Sequence, residues 1–371
     1  MFKGLTKIFK REHRDFEALL IEVSTYSSLE CQMCPRAVFA EQWIFQKMPL
    51  ETFHKISQHF HRTQWVSFQG WGEPLENENV IPMLALAKQS GCLTGLTTNG
   101  ADVTEDLAGE LLAADLDLLT VSLEGPTAAI SESLPVGSDV TPILENIAGL
   151  VKVKKKLKKD HPRVRLSFLM TRLNMPELPG VIPLAAKLGA DEVIFTNLDY
   201  LPNPRWNILR TFYHESPTAA FEEKIAEIYR LGKKTGIKVH VSPLKVEEKP
   251  VCEPNPPRKV FFAVDGSVAP CMYLRLPKKG DIPRIFLNKE FRVPQTFFGN
   301  IRDEDFLTIW AKEPYREFRQ IFADREKAAV DGVQILDAFS NIRSAGMGKE
   351  RTEPPPPLSE LCQSCYKAYG I

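Results

Sequence analysis

Short apolar runs alternate with longer amphipathic stretches between residue 19 and about residue 240 of this chain. The apolar runs are rich in Val, Ile, Leu, Phe and Thr and end in polar or turn-forming residues, a pattern that predicts β-strands. The predicted strands cover residues 19–24, 65–69, 93–97, 118–123, 163–170, 192–196 and 238–242. The amphipathic stretches predict helices over residues 49–60, 80–90, 105–114, 140–157, 175–187 and 218–234.

Strands and helices that alternate at this spacing form βαβ units, which build a parallel sheet. Six or seven units favour an α/β fold of the partial (β/α)6 TIM-like barrel type over a short open sheet. In such barrels the chemistry lies on the loops that follow the carboxyl ends of the strands. Polar and glycine-rich segments of this chain lie in those places, at residues 27–34, 70–74, 98–100 and 124–125.

The pattern along the chain suggests three segments. Residues 1–18 are basic, lack the apolar centre of a signal peptide and predict an N-terminal helix, whereas residues 19–242 predict the barrel. Residues 243–371 predict a small irregular cysteine-rich extension, because prolines cluster there and continuous apolar periodicity is scarce. A segment of this kind is expected to fold around a bound metal.

Composition narrows the class of protein. Of the 371 residues, 43% are hydrophobic and 25% are charged, which is typical of a globular protein. Lys plus Arg equals Asp plus Glu at 47 each, so bulk charge does not favour nucleic-acid binding. Without a run of eighteen apolar residues we expect no membrane span, and without an export signal we expect a cytoplasmic protein. Thiols stay reduced in the cytoplasm, so clustered cysteines predict metal ligands before disulfides.

The first cysteine pair, Cys31-Gln-Met-Cys34, follows the first predicted strand. By itself a Cys-x-x-Cys loop beside a strand has three interpretations: a thioredoxin-type redox pair, half of a zinc site, or part of an iron–sulfur ligand set. The loop alone does not distinguish these three interpretations, but the sequences of the neighbouring loops do.

The segment Ser27-Ser-Leu-Glu-Cys31-Gln-Met-Cys34-Pro-Arg36 resembles the cluster loop of radical S-adenosylmethionine (SAM) enzymes. That family's pattern is Cys-x3-Cys-x2-Cys, often followed by Pro-Arg. Cys31 and Cys34 match its second and third cysteines, and Ser27 stands where the first cysteine belongs. The resemblance therefore implies a metal site formed by Ser27, Cys31 and Cys34.

Four later loops resemble further motifs of the same family, in the same order. Gly-Trp-Gly72-Glu73-Pro is similar to the Gly-Gly-Glu-Pro motif that receives the methionine amino group of SAM. Thr-Thr-Asn99-Gly, Val-Ser122-Leu-Glu-Gly and Leu-Met-Thr-Arg-Leu-Asn174 are similar to the third, fourth and fifth motifs. The resemblance implies cofactor contacts from Gly72, Glu73, Asn99, Ser122 and Asn174. An ordered match of five loops is far more specific than any one motif.

The family resemblance also implies a reaction. A [4Fe-4S] cluster with three protein ligands leaves one iron open for SAM, and one electron from the cluster cleaves SAM to methionine and a 5′-deoxyadenosyl radical. Such enzymes act on a peptide, a protein or a small molecule such as a cofactor precursor, and they take electrons from a donor such as ferredoxin or flavodoxin. The cofactor supplies this chemistry, while the protein positions and shields it.

Several residues depart from the family pattern. Serine at position 27 removes one thiolate, and a serine oxygen is a harder ligand with a much less acidic proton. Glu124 stands where aspartate is usual, and the arginine often found before Gly137 is missing. These changes support an alternative in which the chain is a degenerate, non-catalytic relative that serves as an iron–sulfur binding or carrier module.

A second cysteine set lies in the extension. Cys252 and Cys271 flank a predicted β-hairpin with Asp-Gly266 at its turn, and Cys362-Gln-Ser-Cys365 follows near the end of the chain. Four cysteines make a complete tetrahedral ligand set for zinc or for an iron–sulfur cluster, and their spacing does not separate the two. The spacing resembles the auxiliary-cluster extensions of radical SAM enzymes, called SPASM or, in the single-cluster form, twitch domains. A zinc-stabilised barrel protein remains the alternative.

Overall fold

A computed structural model describes residues 14–29, 33–123, 140–212, 218–340 and 356–371, and within the last helix it describes side chains only as far as residue 329. Seven strands form the barrel sheet: β1 Phe16–Ile21, β2 Thr63–Phe68, β3 Leu93–Thr98, β4 Leu118–Leu123, β5 Arg163–Met170, β6 Glu192–Asn197 and β7 Lys238–Val241. The α-helices between them are α1 Pro35–Val38, α2 Leu50–Ser57, α3 Val80–Gln89, α4 Glu105–Ala113, α5 Thr141–Lys156, α6 Val181–Leu188 and α7 Ala219–Thr235.

The seven strands pair in sequence order, and every pair is parallel. Because β1 and β7 lie at opposite ends of this run and are not paired with each other, the seven strands do not close into a full barrel. The expected α/β fold of partial-barrel type is therefore confirmed. The main core lies between the sheet and its helices and contains side chains such as Leu19, Val66, Phe68, Leu119 and Phe168.

Two expectations near element ends were wrong. The helix predicted over residues 1–18 falls mostly on residues 1–13, outside the described residues, and its last three positions begin β1, where Phe16 and Ala18 are buried. The helix predicted over residues 175–187 is split into a 3-10 helix, Met175–Gly180, and α6. Proline at position 179 explains the split, because it lacks the N–H that a continuous α-helix needs.

The extension continues the barrel sheet. Its elements are β8 Lys259–Phe262, β9 Ser267–Ala269, β10 Ile282–Phe286, β11 Lys289–Val293, β12 Gly299–Asn300, α8 Phe306–Ala311 and α9 Glu313–Ser340. β8 pairs in parallel with β1, β9 pairs antiparallel with β8, and β12 pairs with β9. The predicted hairpin is confirmed, with Gly266 at a φ of +84° in its turn. Strands β10 and β11 form a separate antiparallel hairpin.

The remaining cysteine lies in the barrel core. Cys92 is buried, and its thiol donates to the Phe60 carbonyl at 3.2 Å. Within the described ranges, no helix combines the length and apolar character that a membrane crossing requires.

Candidate functional site

A cavity of about 330 Å³ lies at the carboxyl ends of the barrel strands. Six successive strand ends contribute to its lining, as the topology of a parallel barrel requires. The polar or thiol-bearing contributors that bear on the chemistry are Ser27, Cys34, Glu73, Asn99, Ser122 and Asp199. Cavities of this size are typical of small-molecule sites.

The loop after β1 brings two of the three predicted metal-site residues to this cavity. Ser27 and Cys34 both line it, and the buried Met33 precedes Cys34. Helix α1 begins immediately after Cys34, with proline at its first position, and the Arg36 side chain donates to the Leu29 carbonyl across the loop. Cys31, the third predicted residue, lies outside the described residues.

The loop after β2 packs directly against the end of β1. A Cβ atom at Gly72 would lie 2.5 Å from the Ser24 carbonyl oxygen and 2.5 Å from the Thr25 Cα atom. The Glu73 N–H donates to the Tyr26 carbonyl at 2.6 Å. Glycine is needed at position 72 because the neighbouring atoms are backbone, which cannot move aside as a flexible side chain can.

Glu73 joins the second loop to the third. Its side chain is buried, with Oε2 accepting from the Asn99 N–H at 2.7 Å and Oε1 accepting from the Leu75 N–H at 3.1 Å. Burial raises the pKa of Glu73 to about 7, although these hydrogen bonds oppose the rise. A carboxyl group that is half ionised near neutral pH, in a cavity, is suited to bind a cationic group.

Asn99 and Ser122 also line the cavity, whereas Asn174 does not. The Asn99 side-chain Oδ1 accepts from the Ala101 N–H, while its buried Nδ2 has no partner among the described residues. The Asn174 side chain is fully buried, donates to the Leu169 carbonyl and accepts from the Thr171 N–H, both at 2.8 Å. Of the predicted cofactor contacts, the structure therefore brings together Gly72, Glu73, Asn99 and Ser122 at one cavity.

The four extension cysteines line one small, largely apolar cavity. Cys252 precedes β8 and Cys271 follows β9, and both line the cavity together with Cys362 and Cys365. Burial raises the pKa of the Cys271 thiol to about 12, and the thiols of Cys252 and Cys362 shift in the same direction through burial and their sulfur neighbours. Within the described part of the chain, no three His, Cys, Asp or Glu side chains are arranged to hold a single metal ion.

A hydrogen-bond network connects the two cavities. Asp199, at the first cavity, accepts from the Tyr273 hydroxyl at 2.9 Å and pairs with Lys367 at 2.8 Å. Tyr273 and Lys367 line the four-cysteine cavity. The Trp71 ring nitrogen, from the first cavity, donates to the Met272 carbonyl, next to Cys271. This network is not predictable from the sequence, because its members are distant in sequence and belong to no motif.

A larger cavity, of about 500 Å³, lies between the β10–β11 hairpin and residues 357–369. Its lining includes Phe286, Phe291 and Tyr369 but no cysteine. The cysteines lie at the two smaller cavities, which are therefore the candidate functional sites.

Comparison with known proteins agrees with this geometry. Residues 252–331 match SPASM, an iron–sulfur cluster-binding domain, and the match includes Cys252 and Cys271. The chain is 24% identical over 344 residues to the tungsten-containing aldehyde ferredoxin oxidoreductase cofactor-modifying protein of Pyrococcus furiosus, covering 91% of this chain and 92% of that protein.

Two solved structures share the fold. Streptococcus suis SuiB bound to S-adenosylmethionine superposes with a TM-score of 0.60 at 14% identity, covering 83% of this chain and 68% of SuiB. The protein anSMEcpe with bound AdoMet (SAM) and a peptide superposes with a TM-score of 0.54 at 17% identity, covering 82% of each chain.

The fold and the two cysteine-bearing sites define an α/β partial barrel joined to an iron–sulfur cluster-binding extension. Residues 252–331 match the SPASM iron–sulfur cluster-binding domain, and the chain shares its fold with the SAM-bound proteins SuiB and anSMEcpe. These similarities agree with the resemblance to radical SAM enzymes with a SPASM-type extension that the sequence motifs carry.

Proposed function

We propose that this protein is a radical SAM enzyme that cleaves SAM reductively to a 5′-deoxyadenosyl radical and so modifies a peptide, a protein or a cofactor precursor. The observation that carries the proposal is the lining of one cavity by Cys34, Glu73, Asn99 and Ser122 from four successive strand ends. Each of these side chains stands at the motif position that the family uses.

The residues present fit SAM as a ligand. The Glu73 carboxylate would accept hydrogen bonds from the methionine ammonium, a charge-assisted contact. The unpartnered Nδ2 of Asn99 is a donor already desolvated, and the Ser122 hydroxyl both donates and accepts, as a ribose requires. Gly72 lines the same cavity, and without a side chain its backbone can approach a ligand closely.

The extension would hold an auxiliary [4Fe-4S] cluster through Cys252, Cys271, Cys362 and Cys365. Metal binding takes cysteine as thiolate, so ligation would release thiol protons. Burial raises the pKa of Cys252, Cys271 and Cys362, which favours the protonated thiols at these three positions in the metal-free protein. The second [4Fe-4S] cluster would lie at Cys31 and Cys34, with Ser27 as the third group. An electron donor such as ferredoxin or flavodoxin and a cytoplasmic location complete the proposal.

The proposal leaves the substrate at the level of a class. The Pyrococcus furiosus relative is named as a cofactor-modifying protein, and SuiB has been solved with the precursor peptide SuiA. Both substrate classes therefore have a precedent among proteins similar to this chain.

One observation favours a second candidate, a non-catalytic iron–sulfur module. Ser27 lines the cavity at the position of the family's first cysteine, and its hydroxyl accepts from the Leu29 N–H at 3.4 Å. With serine there, the loop offers at most two thiolates, from Cys31 and Cys34. In this candidate the barrel persists as a scaffold and only the extension holds a cluster.

Anaerobic reconstitution followed by metal, sulfide and 5′-deoxyadenosine analysis, with dithionite and SAM, separates the candidates. An active enzyme should hold about eight irons in two clusters and produce 5′-deoxyadenosine. A non-catalytic module should hold about four irons and produce no 5′-deoxyadenosine. In that case Ser27→Cys should restore both the second cluster and the production of 5′-deoxyadenosine. Ser28→Cys, which adds a thiol one position away, is the matched control and should restore neither. Zinc without iron would support the zinc-stabilised alternative and contradict both.

A further inference from the structure

Arg284 lies on β10, the residue is 3% exposed, and it lines the four-cysteine cavity. One terminal nitrogen of its guanidinium donates to the Leu361 carbonyl at 2.7 Å, and the other donates to the Tyr273 carbonyl. Leu361 directly precedes Cys362, and Tyr273 lies two residues after Cys271. The guanidinium therefore joins the two cysteine pairs across the cavity.

The third guanidinium nitrogen of Arg284, Nε, differs from the two terminal nitrogens. Arg284 Nε is buried and has no hydrogen-bond partner within the described residues. A buried donor without a partner is unfavourable, so the buried Nε–H of Arg284 indicates a group that binds beside it. Arginine stays protonated in proteins, so deprotonation does not remove this unpaired donor.

The charge of Arg284 is also unmatched. The other cation at this cavity, Lys367, pairs with Asp199 at 2.8 Å and with Glu253 at 3.0 Å. Among the described residues, no carboxylate forms an ion pair with Arg284. A buried cation without a counter-charge is unfavourable unless an anion joins it, and four thiolates around a cluster would supply that anion.

We propose that Arg284 is the counter-ion of the extension's cluster, with its Nε–H donating to a cysteinyl or bridging sulfur and keeping the cluster easier to reduce. The inference rests on the proposed ligation by the four cysteines. A cluster bound by thiolates gains one more negative charge on reduction, so a buried neighbouring cation stabilises the reduced form more than the oxidised form.

The test is an EPR-monitored redox titration of the full-length reconstituted protein. A parent variant with Cys31→Ala and Cys34→Ala removes the barrel thiolates, so the signal comes from the extension alone. In this parent, Arg284→Gln should shift the reduction equilibrium about tenfold toward the oxidised form, about 59 mV lower in midpoint potential for one electron. Arg284→Lys keeps the charge, loses the planar fork and should give a smaller fall. Arg292→Gln, an exposed arginine on β11, is the matched control and should leave the potential unchanged.

The outcomes separate the inference from the proposed function. An iron-loaded parent whose midpoint potential is the same with arginine, lysine or glutamine at position 284 would overturn the role of Arg284 and leave the cluster in place. A parent that holds zinc, or no metal, would overturn the cluster and the inference together. If Arg284→Gln does not fold, the titration of Arg284→Lys decides, and a potential equal to that of the parent counts against the Nε contact.

Discussion

Glu22 is a buried carboxyl group at the end of β1 that joins three segments. Its Oε1 accepts from the Trp71 N–H at 2.8 Å, and its Oε2 accepts from the Val264 N–H at 3.3 Å. Burial raises the pKa of Glu22 to about 7, with Asp265 adding to the rise and Arg275 opposing it. One side chain thus connects the end of β1 to the loop after β2, which contains Trp71 and Gly72, and to the β8–β9 hairpin that precedes Cys271.

The raised pKa of Glu22 predicts a pH-dependent stability. Between about pH 4.5 and pH 7 the folded protein keeps the Glu22 proton while the unfolded chain loses it, so the contribution of Glu22 to stability is full below this window and is lost as the pH rises through it. Glu22→Gln removes this loss. The stability of the variant relative to wild type should rise from about pH 5 to about pH 8, by up to about 3 kcal/mol.

Denaturant unfolding of the metal-free protein across this pH range measures the effect. The exposed Glu110 on α4 provides a control, since Glu110→Gln makes the same substitution at the surface and should change stability by less than about 0.5 kcal/mol. A constant difference between Glu22→Gln and wild type would show that the carboxyl group titrates alike in the folded and unfolded states.

At the scale of elements, the sequence predicts most of the barrel because each strand and helix carries its own periodicity. Strands β4 and β5 were predicted to the residue. The start of β1 was missed because Phe16 follows directly on a charged run, so the first half of the strand resembled the end of a basic segment. The 3-10 helix at Met175–Gly180 was missed because apolar spacing alone does not weigh the prolines within it.

The candidate site was predictable to the extent that topology alone determines it. Gly72, Glu73, Asn99 and Ser122 follow successive parallel strands, and the carboxyl ends of such strands must lie at one edge. Asp199 and Arg284 were missed because their roles depend on partners from distant segments. Asn174 matched a motif, yet its loop turns the amide back onto the backbone at Leu169.

The close contact between the loop after β2, at Gly72, and the segment that follows β1 gives a prediction at this scale. Gly72→Ala should destabilise the protein by about 1–3 kcal/mol, since the new methyl group would collide with the backbone of Ser24 and Thr25. SAM binding, measured by calorimetry, should weaken as well, because the loop carries Glu73. Gly109→Ala is the matched control: position 109 lies in α4 with no atom within 4 Å of the added Cβ, so this change should stabilise by about 0.5–1 kcal/mol. Equal thermal stability of the two variants would contradict the close approach.

At the scale of the whole molecule, the extension is part of the barrel's own structure. Strand β8 covers the edge of β1, which would otherwise expose unpaired backbone groups beside an apolar core. The ion pair between Asp199 and Lys367 adds a second connection, between the barrel cavity and the cysteine cavity. The predicted boundary at residue 243 therefore separates two sequence patterns within one continuous sheet.

The buried pair of Asp199 and Lys367 predicts how strongly the two parts depend on each other. The Lys367 side chain is 11% exposed and that of Asp199 is 19% exposed, whereas that of Glu253, the second partner of Lys367, is 76% exposed and contributes little. Lys367→Met would leave the Asp199 carboxylate buried without its cation. We expect a loss of about 3–5 kcal/mol in the free energy of unfolding.

A double-mutant cycle tests this dependence, because it isolates the pairwise energy from other effects of each change. Asp199→Asn in the Lys367→Met background should recover part of the lost stability, since it removes the unpaired charge. Lys245→Met is the control: Lys245 pairs with Glu247 at the surface, where both side chains are about half exposed, and its loss should cost less than about 1 kcal/mol. If Lys367→Met and Lys245→Met cost the same, the buried pair does not hold the extension to the barrel, and the β1–β8 pairing and the hydrogen bonds of Glu22 and Trp71 to the extension must do so.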